Sequence, residues 1–232
     1  GLFLSLLAGF LSGMMTGILH VKLHVSSLLS GILMMTGLYS VNLVIAKGQS
    51  NIPLFNEYTL FKMKSLSFLP AKYRELLVLM LITIVFVVWV EWFLQTRLGY
   101  LLKLVGSNEA MIGDLGHDHQ KLKIFGLALG NGLAAFAGGL AASLNGYFDI
   151  SLGTGMVVLG LSSILLGDTL GKKYLPFISL RVVLGAILYQ MMIAFALRLN
   201  MPPHFLKLST VLIFVLALSL QKRQSRKALK TC

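Results

Sequence analysis

Seven stretches of this chain contain no Asp, Glu, Lys, Arg or His: 1–19, 25–46, 76–90, 124–148, 150–167, 182–197 and 208–221. The hydrocarbon core of a bilayer is about 30 Å thick, and about 17–20 helical residues cross it. Four of the stretches reach that length, and long side chains at the ends of the other three extend their reach to the interface. Because a helix satisfies its backbone hydrogen bonds internally, we predict an all-α, polytopic bundle of about seven transmembrane helices.

The composition excludes a water-soluble globule. Of the 232 residues, 56% are hydrophobic and 12% are charged, and the mean hydropathy is +0.83. A soluble domain carries about 25% charged residues. The net charge of +12 comes from short clusters between the apolar stretches, which favours a membrane protein over a nucleic-acid-binding one. Cys232 is the single cysteine, so no internal disulfide forms.

The basic residues predict the orientation of the chain. If the stretches alternate in direction, thirteen Lys and Arg lie on one side of the membrane and seven on the other. The positive-inside rule places the thirteen in the cytoplasm. We therefore expect a multi-pass protein of the cell (inner) membrane, with one transmembrane domain over 1–221 and a basic cytoplasmic tail over 222–232. Its external loop, 47–74, contains breakers that suit a loop with an interfacial helical turn.

The cytoplasmic connection 95–123 contains a capping pattern for a short helix. Ser107 or Asn108 suits the N-cap, Glu109 complements the positive end of the helix dipole, and Gly116 suits the stop. Small residues at 110 and 113 would share a face that another protein could approach closely. From the spacing alone, an ordinary capped turn between two spans is the favoured interpretation.

Several segments together resemble the permeases of ATP-binding-cassette (ABC) importers of the branched-chain amino acid and ribose type. The similar segments are TRLG at 96–99, GSNEA at 106–110, DISLGTGMVVLGL at 149–161, LSGILMMTGLYS at 29–40 and LKL at 206–208. They look most like the subgroup whose binding proteins are assigned to tryptophan, tyrosine or related ligands. The resemblance covers the chain from about residue 19 onward.

The resemblance implies a homodimeric permease that moves a small solute inward, with no catalytic site and no cofactor of its own. A cytoplasmic ABC ATPase would dock on the short helix of the coupling loop, 95–123, and an extracytoplasmic binding protein would deliver the substrate. One or two further spans would precede Gly1. We expect the ATPase contact to be shaped by Asn108, Glu109, Ala110, Gly113 and Gly116. The run from His117 to His119 and the basic residues Lys62 and Lys64 depart from the family pattern.

Polar groups within the apolar stretches are candidates for the translocation path, although interhelical hydrogen bonding is the stronger interpretation. They are Tyr39, Asn42, Asn131, Asn145 and Gln190. Asp149 and Asp168 bracket one stretch and are either functional intramembrane carboxylates or solvated helix ends.

Repeated small residues predict close helix packing rather than a glycine-lined pore. They are Gly9, Gly13 and Gly17, then Gly126 and Gly130, then Gly167 and Gly171.

The histidine pairs at 20 and 24 and at 117 and 119 offer too few ligands to predict a metal site.

Two other classes of function compete with the importer permease. One is a lipid-modifying membrane enzyme using Asp114, His117, Asp118 and His119, which lack the nucleophile or metal set that such an enzyme needs. The other is a secondary transporter or channel, which favours buried ionisable residues that most of these stretches lack. Co-purification of an ATPase, metal-dependent lipid turnover, or ion-driven uptake by the chain alone would separate the three.

Overall fold

The fold is described from a computed structural model, for residues 1–54, 71–107, 109–153, 156–171 and 175–198. Helices dominate, as predicted. In chain order the elements are α1 (Leu2–Lys22), α2 (Ser27–Ile45), β1 (Asn51–Pro53), α3 (Ala71–Leu94), α4 (Arg97–Ser107), α5 (Glu109–Asp114), α6 (His119–Asn145), β2 (Tyr147–Asp149), a 3-10 turn (Ile150–Gly153), α7 (Met156–Gly171) and α8 (Ile178–Arg198). They form two compact units, one of residues 1–86 and 92–151, the other of 87–91 and the residues from 152 onward. The single permease domain over 1–221 stays a prediction.

Five of the described helices, rather than the predicted seven, are long and apolar enough to cross a membrane: α1, α2, α3, α6 and α8. The predicted span 150–167 was wrong at its start, because its helix begins only at Met156. The sixteen residues of α7 extend about 24 Å, short of a full bilayer core. The predicted span 208–221, the tail 222–232 and most of the loop 47–74 lie outside the described residues.

The end of α6 explains that shift. Gly146 has φ +74° and its N–H donates to the carbonyl of Ala142 at 3.0 Å, so the helix ends at Asn145, inside the apolar stretch 124–148. The following residues 147–149 form β2, which pairs antiparallel with β1 in the register Asn51–Asp149, Ile52–Phe148 and Pro53–Tyr147. The two strands place the residues that follow α2 beside those that follow α6, at one end of the first unit. No strand was predicted here.

Helices α1 and α6 pack antiparallel through a row of glycines on α1. A Cβ built on Gly13 would lie 2.6 Å from the Cα of Ala128, and one on Gly17 would lie 2.7 Å from the Cα of Ile124. Gly9 approaches Ala135 in the same way. Because lipid tails are as apolar as the side chains, helices associate in a membrane by close packing rather than by the hydrophobic effect. The predicted packing role of the α1 glycines is confirmed.

Gly126 and Gly130 of α6 do not lie in the contact between α1 and α6. A Cβ built on Gly126 would meet only the Cδ2 atom of Leu102, at 3.2 Å, and one on Gly130 would meet no described atom within 4 Å. Helix α6 therefore presents Ala128 and Gly132, both buried, to α1 instead. Gly126 therefore has its close neighbour on α4 rather than on a second spanning helix, and the close contact predicted for Gly130 is not found among the described residues.

In the second unit, α7 and α8 form a tight antiparallel pair. The backbones of Gly167 and Gly185 are in direct contact, which leaves no room for a side chain at either position. Arg181 Nη1 contacts Asp168 Oδ1 at 2.5 Å, and the Arg181 side chain is only 15% exposed. Asp168, in the last turn of α7, is therefore the ion-pair partner of an arginine, and its own side chain stays partly exposed.

Glu91, on the part of α3 that belongs to the second unit, has a hydrogen-bond partner on α8. The hydroxyl of Ser179, at the start of α8, donates to Glu91 Oε2 at 2.8 Å. This bond satisfies a carboxylate that a short side chain cannot lift far from the apolar stretch 76–90.

Candidate functional site

Helices α4, α5 and α6 form a compact turn at one end of the first unit. Thr96 begins it, because its hydroxyl accepts a bond from the N–H of Gly99 at 3.3 Å and so caps α4. Gly99 is buried, and a Cβ there would lie 2.6 Å from the Cα of Leu94. The segment TRLG at 96–99 therefore has a local structural role. The Thr96 cap and the close backbone approach at Gly99 together let α4 start directly after α3.

A single buried residue anchors α5. Ile112 is fully buried, whereas Met111, Gly113, Asp114 and Leu115 are exposed. A Cβ built on Gly113 would meet no atom of the described residues within 4 Å. Among the side chains of α5 that the structure describes, Ile112 alone is buried, and the others face outward.

Gly116 ends α5 as predicted. It has φ +73°, a left-handed conformation that costs other residues about 1–2 kcal/mol. Its N–H donates to the carbonyl of Gly113 at 2.9 Å, and the N–H of His117 donates to the carbonyl of Ile112 at 3.1 Å. These two bonds form a Schellman motif, which satisfies carbonyls that would otherwise have no partner at the helix end.

Of the two predicted N-caps of α5, the structure excludes Ser107. Ser107 belongs to the end of α4, and its hydroxyl donates to the carbonyl of Leu104 at 3.1 Å, so it does not cap α5. Asn108 and the side chain of Ala110 lie outside the described residues.

Glu109 ties α5 to α6. Its Oε1 lies 2.6 Å from Nζ of Lys123, on the first turns of α6. The hydrogen bond from Lys123 holds the pKa of Glu109 below its ordinary value of 4.5, and the nearby charges of Lys123, His119 and His20 act in the same direction. Glu109 is therefore an anchoring residue in the structure as well as a predicted contact residue.

The run from His117 to His119 has a structural role at its centre. Asp118 Oδ1 accepts bonds from the N–H groups of Gln120 at 2.9 Å and Lys121 at 3.3 Å, and so caps α6. The backbone bond from Lys121 is the main cause that lowers the pKa of Asp118. In the part of the chain that the structure describes, no three His, Cys, Asp or Glu side chains are grouped to hold a metal ion.

A cavity of about 310 Å³ lies beside α5, between the α1–α2 turn and the start of α6. The turn is held by a 2.5 Å contact between His20 Nδ1 and the carbonyl of Val25, and by a left-handed φ of 53° at His24. The cavity is lined by His20, Val21, His24, Val25, Ser26, Glu109, His119, Gln120 and Lys123. Sequence reasoning treated these residues as unrelated, because no local pattern shows that the α1–α2 turn adjoins the connection 95–123.

Of the five candidate residues for a translocation path, four lie in the first unit and Gln190 lies in the second. Asn131 donates from Nδ2 to the carbonyl of Leu127 at 2.9 Å, within the α1–α6 contact. Tyr39 and Asn42 are exposed on α2, Asn145 is exposed at the end of α6, and Gln190 is exposed on α8 in the second unit. Their role in transport stays a prediction.

Comparison with known proteins is consistent with this architecture. Residues 1–219 match the family described as branched-chain amino acid transport system / permease component. The chain is 40% identical over 192 residues to a tyrosine transport system permease protein of Clostridioides difficile (strain R20291), covering 82% of this chain and 62% of that relative. It is 31% identical over 204 residues to an uncharacterised protein of Rickettsia prowazekii (strain Madrid E), covering 86% and 70%.

The chain thus spans less than two thirds of the length of the Clostridioides relative. No solved structure is significantly similar to it. The family match covers almost all of the chain and agrees with its series of long apolar helices. The chain therefore belongs to the family of permease components of branched-chain amino acid transport systems.

Proposed function

We propose that the chain is the membrane-spanning subunit of an ABC importer that moves an amino acid or related solute inward. A separate ATPase subunit supplies the energy by docking on α5. The observation that carries this proposal is the form of α5, a short helix outside the spans on which Ile112 is buried while Met111, Gly113 and Asp114 are exposed. A partner surface can close around such a helix without disturbing the packing beneath it.

The anchors of α5 support transmission of force. A six-residue helix is too short to be stable alone. Ile112, the Schellman motif at Gly116 and the pair between Glu109 and Lys123 fix it to α4 and α6. A rigid-body movement of a docked ATPase would therefore displace the start of α6 rather than unwind α5. The predicted contact residues Asn108, Ala110 and Gly113 complete this proposed docking surface.

The substrate proposal rests on the relatives. The Clostridioides relative is named as a tyrosine transport system permease, so an aromatic or related amino acid is the proposed cargo. An extracytoplasmic binding protein would deliver it, and two copies of the permease would form the membrane assembly. Tyr39, Asn42, Asn131, Asn145 and Gln190 remain the proposed polar groups of the path, and the α5 end of the first unit would face the cytoplasm.

Replacing Gly113 by tryptophan tests the docking proposal. The added side chain has open space in the isolated chain but would occupy the surface on which the ATPase closes. We expect the variant to reach the membrane at normal levels and to lose substrate uptake while ATP hydrolysis by the assembled transporter no longer depends on substrate. Uptake of radiolabelled amino acid into proteoliposomes measures the loss.

Gly106→Trp is the matched control. Gly106 lies on α4, is exposed, and also has no described atom within 4 Å of a built Cβ. If both variants transport normally, α5 is not the docking helix. Equal loss in both variants would attribute the defect to bulk near the connection rather than to the α5 surface, and would also contradict the proposal.

A further inference from the structure

The cavity beside α5 lies where three helices end. Its walls come from the last turn of α1, the turn that leads into α2, Glu109 of α5 and the first turns of α6, and α1, α2 and α6 are all long enough to span a membrane. The ends of spanning helices lie at the membrane surface, where long basic side chains collect. The cavity is therefore at the depth of the lipid headgroups, whichever face of the membrane it opens to.

Several side chains of this cavity offer hydrogen-bond donors to an anion. The ammonium group of Lys123 carries three donors, and one is directed at Glu109. A neutral imidazole carries one N–H, so His24 and His119 add one donor each, and Gln120 adds its amide. His20 is already engaged, because its Nδ1 must carry the proton it shares with the carbonyl of Val25. Glu109 is the one carboxylate that lines the cavity.

The size of the cavity and its apolar wall further restrict the class of ligand that fits it. A volume of about 310 Å³ is about ten times the volume that one water molecule occupies in the liquid. Val21 and Val25 form an apolar wall beside the donors. A free phosphate ion gains nothing from that wall, whereas a headgroup attached to acyl chains does. Basic pockets between transmembrane helices are a known kind of headgroup site.

We infer that this cavity binds the phosphate group of an anionic phospholipid, with Lys123, His24 and His119 as the donors. The inference does not depend on the proposed importer function. The lipid phosphate and the carboxylate of Glu109 then share the ammonium group of Lys123. Because both acceptors draw on the same positive charge, occupancy of the cavity weakens the tie between α5 and α6 without having to break it, which links the lipid to the position of α5.

Lipid binding to the purified permease tests the inference. Delipidated protein is titrated with phosphatidylglycerol or phosphatidylcholine and the bound lipid is counted by native mass spectrometry. Preferential binding of phosphatidylglycerol is expected. Lys123→Gln should weaken that binding about fivefold, the usual effect of one basic group at a membrane surface. Glu109→Gln should strengthen it, because the competing acceptor is removed without a change in side-chain size.

Two exposed residues outside the cavity give matched controls. Lys121→Gln and His117→Phe should leave phosphatidylglycerol binding unchanged, whereas a His24→Phe/His119→Phe double variant should reduce it. Equal binding by Lys123→Gln and Glu109→Gln overturns the inference, as does equal retention of the two lipids. Inorganic phosphate, followed by ³¹P line broadening, is the second arm. Broadening that Lys123→Gln abolishes, without any lipid preference, assigns the site to soluble phosphate and refutes the lipid source.

Discussion

Replacing Gly13 by alanine tests whether the α1–α6 contact depends on glycine. The added Cβ would lie 2.6 Å from the Cα of Ala128 and 2.5 Å from the carbonyl oxygen of Leu127. Both are backbone atoms, so no side-chain rotation relieves the clash. The helices must separate by about 1 Å to restore ordinary contact, and a gap of that size forfeits about a quarter to a half of each pairwise attraction that it stretches.

We expect Gly13→Ala to destabilise the protein by about 2 kcal/mol, within the range for overpacked sites. That corresponds to a fall of about 4–8 °C in Tm for a chain of this size. Thermal unfolding of the detergent-solubilised protein measures the change. Gly130→Ala is the control, because it makes the same substitution on α6 with no described atom within 4 Å. Equal Tm values for the two variants would refute the argument that backbone contact, rather than helix propensity, makes glycine necessary at position 13.

Two further predictions concern charged groups. The pKa of Glu109 is held below 4.5 in the folded protein, so its pairing with Lys123 should stabilise the fold fully above pH 4.5. This stabilisation should be lost as the pH falls through the lower pKa of the folded state. A ¹³C-carboxyl NMR titration should show the low pKa, and Lys123→Gln should move that pKa back toward 4.5. Asp168→Asn should lower the free energy of unfolding by about 1–2 kcal/mol, because it leaves the mostly buried Arg181 without its charge partner; the effect is limited because solvent screens Asp168, which is 47% exposed. Asp114→Asn changes an exposed residue and should have little effect in the same denaturation assay. An equal effect of both substitutions would contradict the ion-pair argument.

The sequence predicted the helices better than their contacts. Charged and polar boundaries located α1, α2, α3, α6 and α8, since hydrophobic length is a property of each segment alone. The start of α7 was missed because the helix stop at Gly146 lies inside an apolar stretch, where hydropathy gives no signal. The three-residue strands are too short to show an alternating pattern.

The candidate site also has one part that the sequence predicted and another part that only the structure shows. Gly116 was predictable, because a helix stop has a local sequence signature. The cavity lined by His20, His24 and His119 was not, because it depends on which helices adjoin. The α1 glycines show the limit clearly: their spacing predicted a close contact, but only the structure shows that Ala128 of α6 is the partner.

The pairing of β1 with β2 restricts how the first unit can move. Its ladder, extended by the bond from the N–H of Leu54 to the carbonyl of Gly146 at 2.8 Å, fastens the chain after α2 to the chain after α6. Because these strands join the ends of α2 and α6, the two helices cannot slide lengthwise past each other without breaking the strand hydrogen bonds. If a partner docks on α5 as proposed, its movement of the opposite end of α6 would therefore produce an angular opening about the strands, with an amplitude that grows with distance from them.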